Sequence, residues 1–327
     1  MTDTQDRRVL KKLVVGVPLT DEHIDRLRAL FPEIEVVRFS ETSGGNELAD
    51  ADALVAWTLT EELLAAAARL RWVQWSGAGV DTLPLSSLRA REIIVTNFSG
   101  VHAINMGEHA LAMMLVFARQ MPTLIRDQAI RRWQDSFDRS RIFELHGQTL
   151  LLVGLGDIAL AVAERAAAFG LTIIGVRLRL DQPRPAKVDE VVGLDRLDEV
   201  LGRADHVLNS LPLTPQSRGL FDDARLARMR PGAFFYNIGR GGTVDTSALV
   251  ASLESGHLGG AGLDVTDPEP LPLESPLWTM ANVLITAHTA GGTPRYWDRG
   301  VELLETNIGR FIAREPLVNV VDLAAGY

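Results

Sequence analysis

The sequence predicts an α/β protein built from two doubly wound parallel-sheet lobes, and three observations carry that reading. Short β-branched or apolar runs alternate with longer Ala/Leu-rich amphipathic stretches, the pattern of successive βα units. The runs fall into two groups, separated by a long helical stretch. With 327 residues against roughly 150 for an average domain, each lobe can bury a core of its own.

The first group comprises candidate strands Leu13–Val17, Leu54–Ala56, Trp72–Trp75 and Ile93–Thr96. A helix from about Ala103 to Met121 follows, then an Arg-rich, less regular segment ending near His146–Gly147. The second group comprises Leu150–Val153, Thr172–Val176, His206–Ser210, Ala233–Ile238, Gly260–Val265 and Val283–Thr286. Pro-rich Asp181–Pro185 and Asp267–Pro276 read as loops. A last helix, about Pro294 to Arg314, follows the final strand, and periodicity alone lets it pack on either lobe. The first lobe therefore takes residues up to about 100 and the second about 101–290.

Composition narrows the function. A chain 46% hydrophobic and 23% charged is ordinary for a soluble globular protein. Without cysteine there is no disulfide, thiolate nucleophile, Cys-ligated zinc or iron–sulfur cluster, and no metal site is expected. A net charge of −9 points away from nucleic acid, which needs a basic face. Arg7, Arg8, Lys11 and Lys12 precede an apolar run that stops at Pro18, too short for a signal segment. The longest apolar run, Ala110–Ala118, falls far short of the roughly 20 residues that span a bilayer. The expectation is a soluble, cytoplasmic protein with neither nucleic-acid nor membrane partners.

The sharpest local signal is Val153-Gly154-Leu155-Gly156-Asp157-Ile158-Ala159, after an apolar run and at the head of the Ala-rich helix Ala159–Phe169. It fits the G-x-G-x-x-G/A pattern of a dinucleotide-binding Rossmann fold. Gly154 makes the tight turn, Gly156 lets backbone approach a pyrophosphate, and Ala159 keeps helix and strand close. At the end of the next strand, where an acidic residue would bind the ribose 2′-hydroxyl of NAD, stands Arg177, with Arg179 and Arg184 behind it. An arginine fork suits a 2′-phosphate, so NADP(H) is favoured and NAD(H) remains open. The competing reading of Arg177 is a solvated basic loop, and Asp181 is the only acid nearby.

Three more charged residues each lie just beyond a strand of the second lobe: Arg240 in Asn237–Gly242, Glu269 in Asp264–Pro270, and His288 in Thr286–Gly291. In a parallel sheet all strand C-termini share one edge, so these residues can converge beside a dinucleotide. The set matches the needs of hydride transfer to a 2-keto acid. A substrate carboxylate needs a fixed cation, and the carbonyl oxygen needs a proton donor as charge grows on it. Histidine supplies that proton near neutral pH, and a carboxylate on its other nitrogen fixes the tautomer. In the first lobe, Ser76-Gly77-Ala78-Gly79-Val80-Asp81 reads either as an anion-binding nest of backbone N–H groups or as a plain tight turn. Trp57, after Leu54–Ala56, reads either as a pocket wall or as a packed core tryptophan.

These motifs, with Met106-Gly107-Glu108-His109 and Leu211-Pro212-Leu213-Thr214-Pro215, occur in an order that resembles the D-isomer-specific 2-hydroxyacid dehydrogenases from about residue 50 onward. The resemblance implies Arg240 as carboxylate and carbonyl binder, Glu269 as histidine partner and His288 as acid/base. It implies Asp264 at the nicotinamide carboxamide, and Ala78 and Gly79 at the substrate carboxylate. Gly154, Gly156, Asp157, Ile158, Arg177, Arg179, Leu211, Pro212, Ile238, Gly239, Arg240, His288 and Gly291 would lie along the cofactor. It also implies a discontinuous, flavodoxin-like substrate domain of residues 1–100 and 291–327, and a dinucleotide domain of residues 101–290 whose segment 101–147 forms a homodimer interface. The expected activity is reduction of a short 2-keto acid such as glyoxylate or hydroxypyruvate. The alternatives are a corepressor-like dinucleotide sensor and a dehydrogenase of another small anion such as phosphite.

Overall fold

The structure, a computed structural model, describes residues 10–39, 46–133 and 141–326. The N-terminal Arg7 and Arg8, and part of the Arg-rich stretch before His146, lie outside the described residues. The chain divides into two compact units, Met1–Val101 with Thr293–Tyr327, and His102–Gly292.

The first unit holds a five-stranded parallel sheet of β1 (Lys12–Gly16), β2 (Glu35–Arg38), β3 (Ala53–Ala56), β4 (Trp72–Trp75) and β5 (Ile94–Thr96). Its order, β2-β1-β3-β4-β5, is the doubly wound arrangement of flavodoxin-like folds. Helices α1 (Asp21–Leu30), α2 (Glu61–Ala66) and α3 (Leu85–Ala90) connect these strands.

In the second unit, α4 (Ala103–Ala118) and α5 (Met121–Ala129) precede a seven-stranded parallel sheet. Its strands are β6 (Thr149–Val153), β7 (Thr172–Arg177), β8 (Glu190–Gly193), β9 (His206–Asn209), β10 (Phe234–Asn237), β11 (Gly260–Leu263) and β12 (Val283–Ile285). Helices α6 (Asp157–Ala168), α7 (Leu197–Val200), α8 (Asp223–Arg228) and α9 (Thr246–Glu254) intervene, and α10 (Tyr296–Ala313) belongs to the first unit. The order β12-β11-β10-β9-β6-β7-β8 is the Rossmann arrangement, with its reversal between β6 and β9.

Both sheets are covered on both faces, which is why their strands read as continuous apolar runs. Along β6, Leu151 and Val153 enter one core and Leu150 and Leu152 the other, all fully buried. The amphipathic α10 inserts Val301, Leu304, Ile308 and Phe311 among Leu13, Val15, Val55 and Trp72, with Phe311 stacked on Trp72 at 5.4 Å. Periodicity could not choose its sheet, because both sheets present apolar faces of the same kind.

Three details correct the sequence reading. The helix expected to reach Met121 stops at Ala118; Gln120 turns left-handed (φ 54°), and a second helix starts at Met121 with Pro122 in its first turn. The helix expected from Ala159 begins at Asp157, two residues closer to the glycine turn. Strands β2 and β8 have no counterpart in the sequence reading. Each is a four-residue edge strand with two apolar residues, too short to show a period. Among the described residues no helix is long and apolar enough to cross a membrane, and no group of three His, Cys, Asp or Glu could hold a metal ion.

Candidate active site

In the second unit the predicted residues collect at the C-terminal edge of the sheet. Gly154, directly after β6, takes φ +90°, a conformation that favours glycine, and its N–H donates to Val176 O at 3.1 Å. Gly156 is the N-cap of the 12-residue α6, no side chain caps the helix, and a Cβ on Gly156 would meet nothing within 4 Å. A helix N-terminus without a side-chain cap, beside an open approach, fits a dinucleotide pyrophosphate. Asp157 is exposed in the first turn, Ile158 is half-buried and Ala159 is fully buried against the sheet.

Arg177 closes β7, half-buried, with its guanidinium donating to the carbonyls of Gln182 and Pro183. Its Nε is buried without a partner among the described residues. Arg179 and Asp181 are exposed. Leu178 and Leu180 line a groove of about 480 Å³ with Leu194, Gln216 and Leu220.

A buried amide network builds the Arg240 turn. Asn209, the last residue of β9, donates through Nδ2 to Asn237 Oδ1 (3.0 Å) and to Thr243 Oγ1 (2.7 Å), while its Oδ1 accepts from Leu211 N at 3.3 Å. Asn237, ending β10, accepts from Gly239 N at 3.1 Å and donates to Arg240 O at 3.1 Å. Thr243 Oγ1 donates to the same carbonyl at 2.6 Å. Ile238 is buried, Pro212 O accepts from Ser217 Oγ at 2.6 Å, and half-buried Arg240 points Nη1 at Gly239 O, 2.9 Å away. Next to it, Gly241 lies against the loop that carries Glu269: a Cβ there would sit 1.8 Å from Thr266 O.

Glu269 and His288 are brought together, His288 Nδ1 lying 2.9 Å from Glu269 Oε2. An ionised carboxylate only accepts, so Nδ1–H donates and Nε2 is left facing away from the pair. Glu269 Oε1 accepts from Thr266 N at 3.1 Å, which fixes the carboxylate in turn. Ala287 (φ 49°) and His288 (φ 58°) are both left-handed, a strain of about 1–3 kcal/mol each. Buried Asp264 holds that turn: Oδ1 accepts from Thr286 Oγ1 (2.6 Å), Thr289 N (2.9 Å) and Ala290 N (3.1 Å), and its carbonyl accepts from His288 N at 2.6 Å. Gly291 O accepts from His102 Nδ1 at 2.9 Å.

In the first unit, Ala56 at the end of β3 pairs with Trp75 at the end of β4, which sets Trp57 beside the Ser76–Asp81 loop. Four consecutive carbonyls of that loop are occupied. Ser76 O accepts from Tyr296 Oη, Gly77 O from Phe98 N (3.2 Å), Ala78 O from Asn97 Nδ2 (2.7 Å) and Gly79 O from Trp75 Nε1 (2.8 Å). The N–H groups of Ala78 and Gly79 meet no acceptor among the described residues, the condition an anion nest requires. Trp57 is 56% exposed, edge-on to Tyr296 and tilted against Trp297, so it is not a packed core tryptophan.

Sequence reasoning missed Asn209, Asn237, Thr243, Thr286 and Tyr296. For Asn209, Asn237 and Thr286 the signal available was a polar residue at the end of an apolar strand, where a buried side chain needs a partner.

Residues 111–290 match the family profile of the D-isomer specific 2-hydroxyacid dehydrogenase NAD binding domain. The D-3-phosphoglycerate dehydrogenase of Mycobacterium tuberculosis is 35% identical over 281 residues, 85% of this chain and 52% of the relative, so the chain spans about half the length of the curated enzymes it matches. The crystal structure of an NADPH-dependent glyoxylate/hydroxypyruvate reductase from Sinorhizobium meliloti, with NADP and sulfate, is 30% identical, covers 97% of this chain and 100% of that one, and superposes with a TM-score of 0.82. A D-isomer specific 2-hydroxyacid dehydrogenase from Xanthobacter autotrophicus, with NADPH and MES, gives 31%, 98%, 100% and 0.82. The chain belongs to the D-isomer-specific 2-hydroxyacid dehydrogenase family.

Proposed function

We propose that this chain reduces 2-keto acids to D-2-hydroxy acids, with NADPH as the preferred donor and glyoxylate or hydroxypyruvate as reference substrates. The Glu269–His288 pair at 2.9 Å, on the sheet edge that also carries the Gly154–Gly156 turn and Arg240, is the observation that supports it most. When bound, the nicotinamide supplies a hydride to C2 of the keto acid. Arg240 binds the carboxylate and the carbonyl oxygen through its guanidinium fork. His288 gives the Nε2 proton to that oxygen, while Glu269 stabilises the imidazolium and holds its tautomer. The reaction consumes one proton and one hydride and leaves a hydroxyl on C2. Ala78 and Gly79 offer their amides to the substrate carboxylate, and Trp57 offers its exposed indole to the substrate side chain.

Gly154, Gly156 and the first turn of α6 would hold the pyrophosphate. Leu211, Pro212, Ile238, Gly239 and Gly291 would line the cofactor, and Asp264 would meet the carboxamide. The 2′-phosphate falls to Arg177 and Arg179; the carbonyls now bound to Arg177 are neutral acceptors that a phosphate outcompetes. Residues 101–147 are read as a homodimer segment, supported by exposed Leu124, Ile125, Ile130 and 92%-exposed Trp133.

A spectrophotometric screen of short and aromatic 2-keto acids with NADPH and NADH tests the proposal. Turnover is expected with NADPH, and His288→Ala should lower kcat by about two orders of magnitude with NADPH affinity nearly intact. No turnover on any keto acid, or equal loss of cofactor binding in the variant, overturns it.

A further inference from the structure

We propose that His109, acting through the hydroxyl of Thr286, is a positioning residue for proton transfer by His288; the inference rests on the reductase reading above. His109 lies on α4, far in sequence from the other groups, and its Nε2 is 3.0 Å from Thr286 Oγ1. That oxygen is 2.6 Å from Asp264 Oδ1. Proton bookkeeping fixes the direction of both bonds. The Asp264 carboxylate only accepts, so the single hydroxyl proton of Thr286 points to it. Thr286 Oγ1 must then accept, and His109 donates from Nε2–H.

The Asp264 side chain is 1% exposed, and among the described residues no lysine or arginine pairs with it; His109 Nε2, at 3.9 Å, is the nearest cationic candidate. Its charge is held by hydroxyl and backbone N–H donors from Thr286, Thr289 and Ala290, the residues that bracket left-handed Ala287 and His288. A strained turn keeps its shape only while its surroundings over-determine it. Without His109, the Thr286 hydroxyl loses the contact that pins its oxygen to a helix, and Asp264 loses a fixed donor. His288 then moves relative to Glu269.

The test uses four variants of the full chain, His109→Leu, His109→Gln, Thr286→Val and Thr286→Ser. With whichever keto acid the wild type turns over, His109→Leu and Thr286→Val should lower kcat about tenfold to a hundredfold, the penalty of a small misplacement at the reacting centre. KM and NADPH affinity should stay within about threefold. His109→Gln places an amide N–H near the lost Nε2–H, and Thr286→Ser keeps the hydroxyl; both should recover most of the rate. The Leu/Val double variant should be no worse than the worse single variant. Histidine side-chain ¹⁵N NMR should find the His109 proton on Nε2, in a pattern lost in Thr286→Val. Thr286→Val changes little volume, so a folding failure at His109→Leu leaves the test standing.

Wild-type kcat in His109→Leu overturns the proposal. So does a loss shared equally by the Gln and Ser variants in step with melting temperature, or a proton found on Nδ1. If the wild type turns over no keto acid, the reductase reading fails, while the NMR experiment still decides the His109–Thr286 contact.

Discussion

Two glycines of the site make opposite predictions when given the same methyl group. At Gly241 a Cβ would lie 1.8 Å from Thr266 O, 2.1 Å from Thr266 C and 2.7 Å from Asp267 N, all backbone atoms. Relief requires a retreat of at least 1.2 Å, the difference between 1.8 Å and the 3.0 Å below which Cβ atoms are essentially never found. No flexible side chain can give way, so the Arg240 turn and the Thr266–Glu269 loop must part. Overpacking of this kind costs about 1–3 kcal/mol, and a misplacement of about 1 Å costs roughly a hundredfold in rate. Gly241→Ala should therefore melt several degrees lower and lose about a hundredfold in kcat. At Gly156 the same Cβ meets nothing within 4 Å, so Gly156→Ala should melt like the wild type. The methyl stands instead in the approach to α6 and should weaken NADPH about tenfold or more in a fluorescence titration. Wild-type turnover and melting in Gly241→Ala, or identical behaviour of the two variants, would refute the reasoning.

Further outcomes follow from charge and burial. Arg177→Asp should weaken NADPH and favour NADH, read by titrating both cofactors; an unchanged preference contradicts the 2′-phosphate assignment. Glu269→Gln removes the carboxylate 2.9 Å from His288 Nδ1, so steady-state kcat should fall about tenfold or more while titrated NADPH affinity stays near wild type, and an unchanged kcat contradicts the pairing. Burial lowers His206 to about 4 from 6.5, and its neighbours Gln148 Oε1 (2.6 Å) and Tyr236 Oη (3.1 Å) suit the neutral ring. Because the unfolded chain binds this proton first, the protein should lose up to ~3 kcal/mol as pH falls from 6.5 to about 4, and nothing from this group above that window. Urea unfolding should show a shallower loss over that range in His206→Phe, and parallel curves would contradict it.

Much of this site was readable because a parallel sheet converts sequence into position. Any residue just past a strand reaches the same edge, so Gly154, Arg240, Glu269 and His288 could be grouped without a structure. The contacts that hold them were not readable. Asn209 meets Asn237 and Thr243, and His109 meets Thr286, through pairings set by the packing of whole elements. Strand periodicity carries no record of such partners. The left-handed break at Gln120 was hidden because Arg119 and Gln120 are ordinary helix formers. Strands β2 and β8 were hidden by their length.

The placement of α10 imposes an order on synthesis. The sheet residues Leu13, Val15, Val55 and Trp72 are translated early, but the helix that covers them begins at Tyr296. At 5–20 residues per second, roughly 10–40 s separate Val101 from Thr293 on the ribosome, long enough for residues 102–292 to emerge first. The first unit thus waits with one sheet face covered only in part, by Ile24 and Leu27 of α1, while the second can complete itself. A nascent chain of this protein should be most dependent on chaperones late in translation, and truncation before α10 should unfold the first unit while sparing the second.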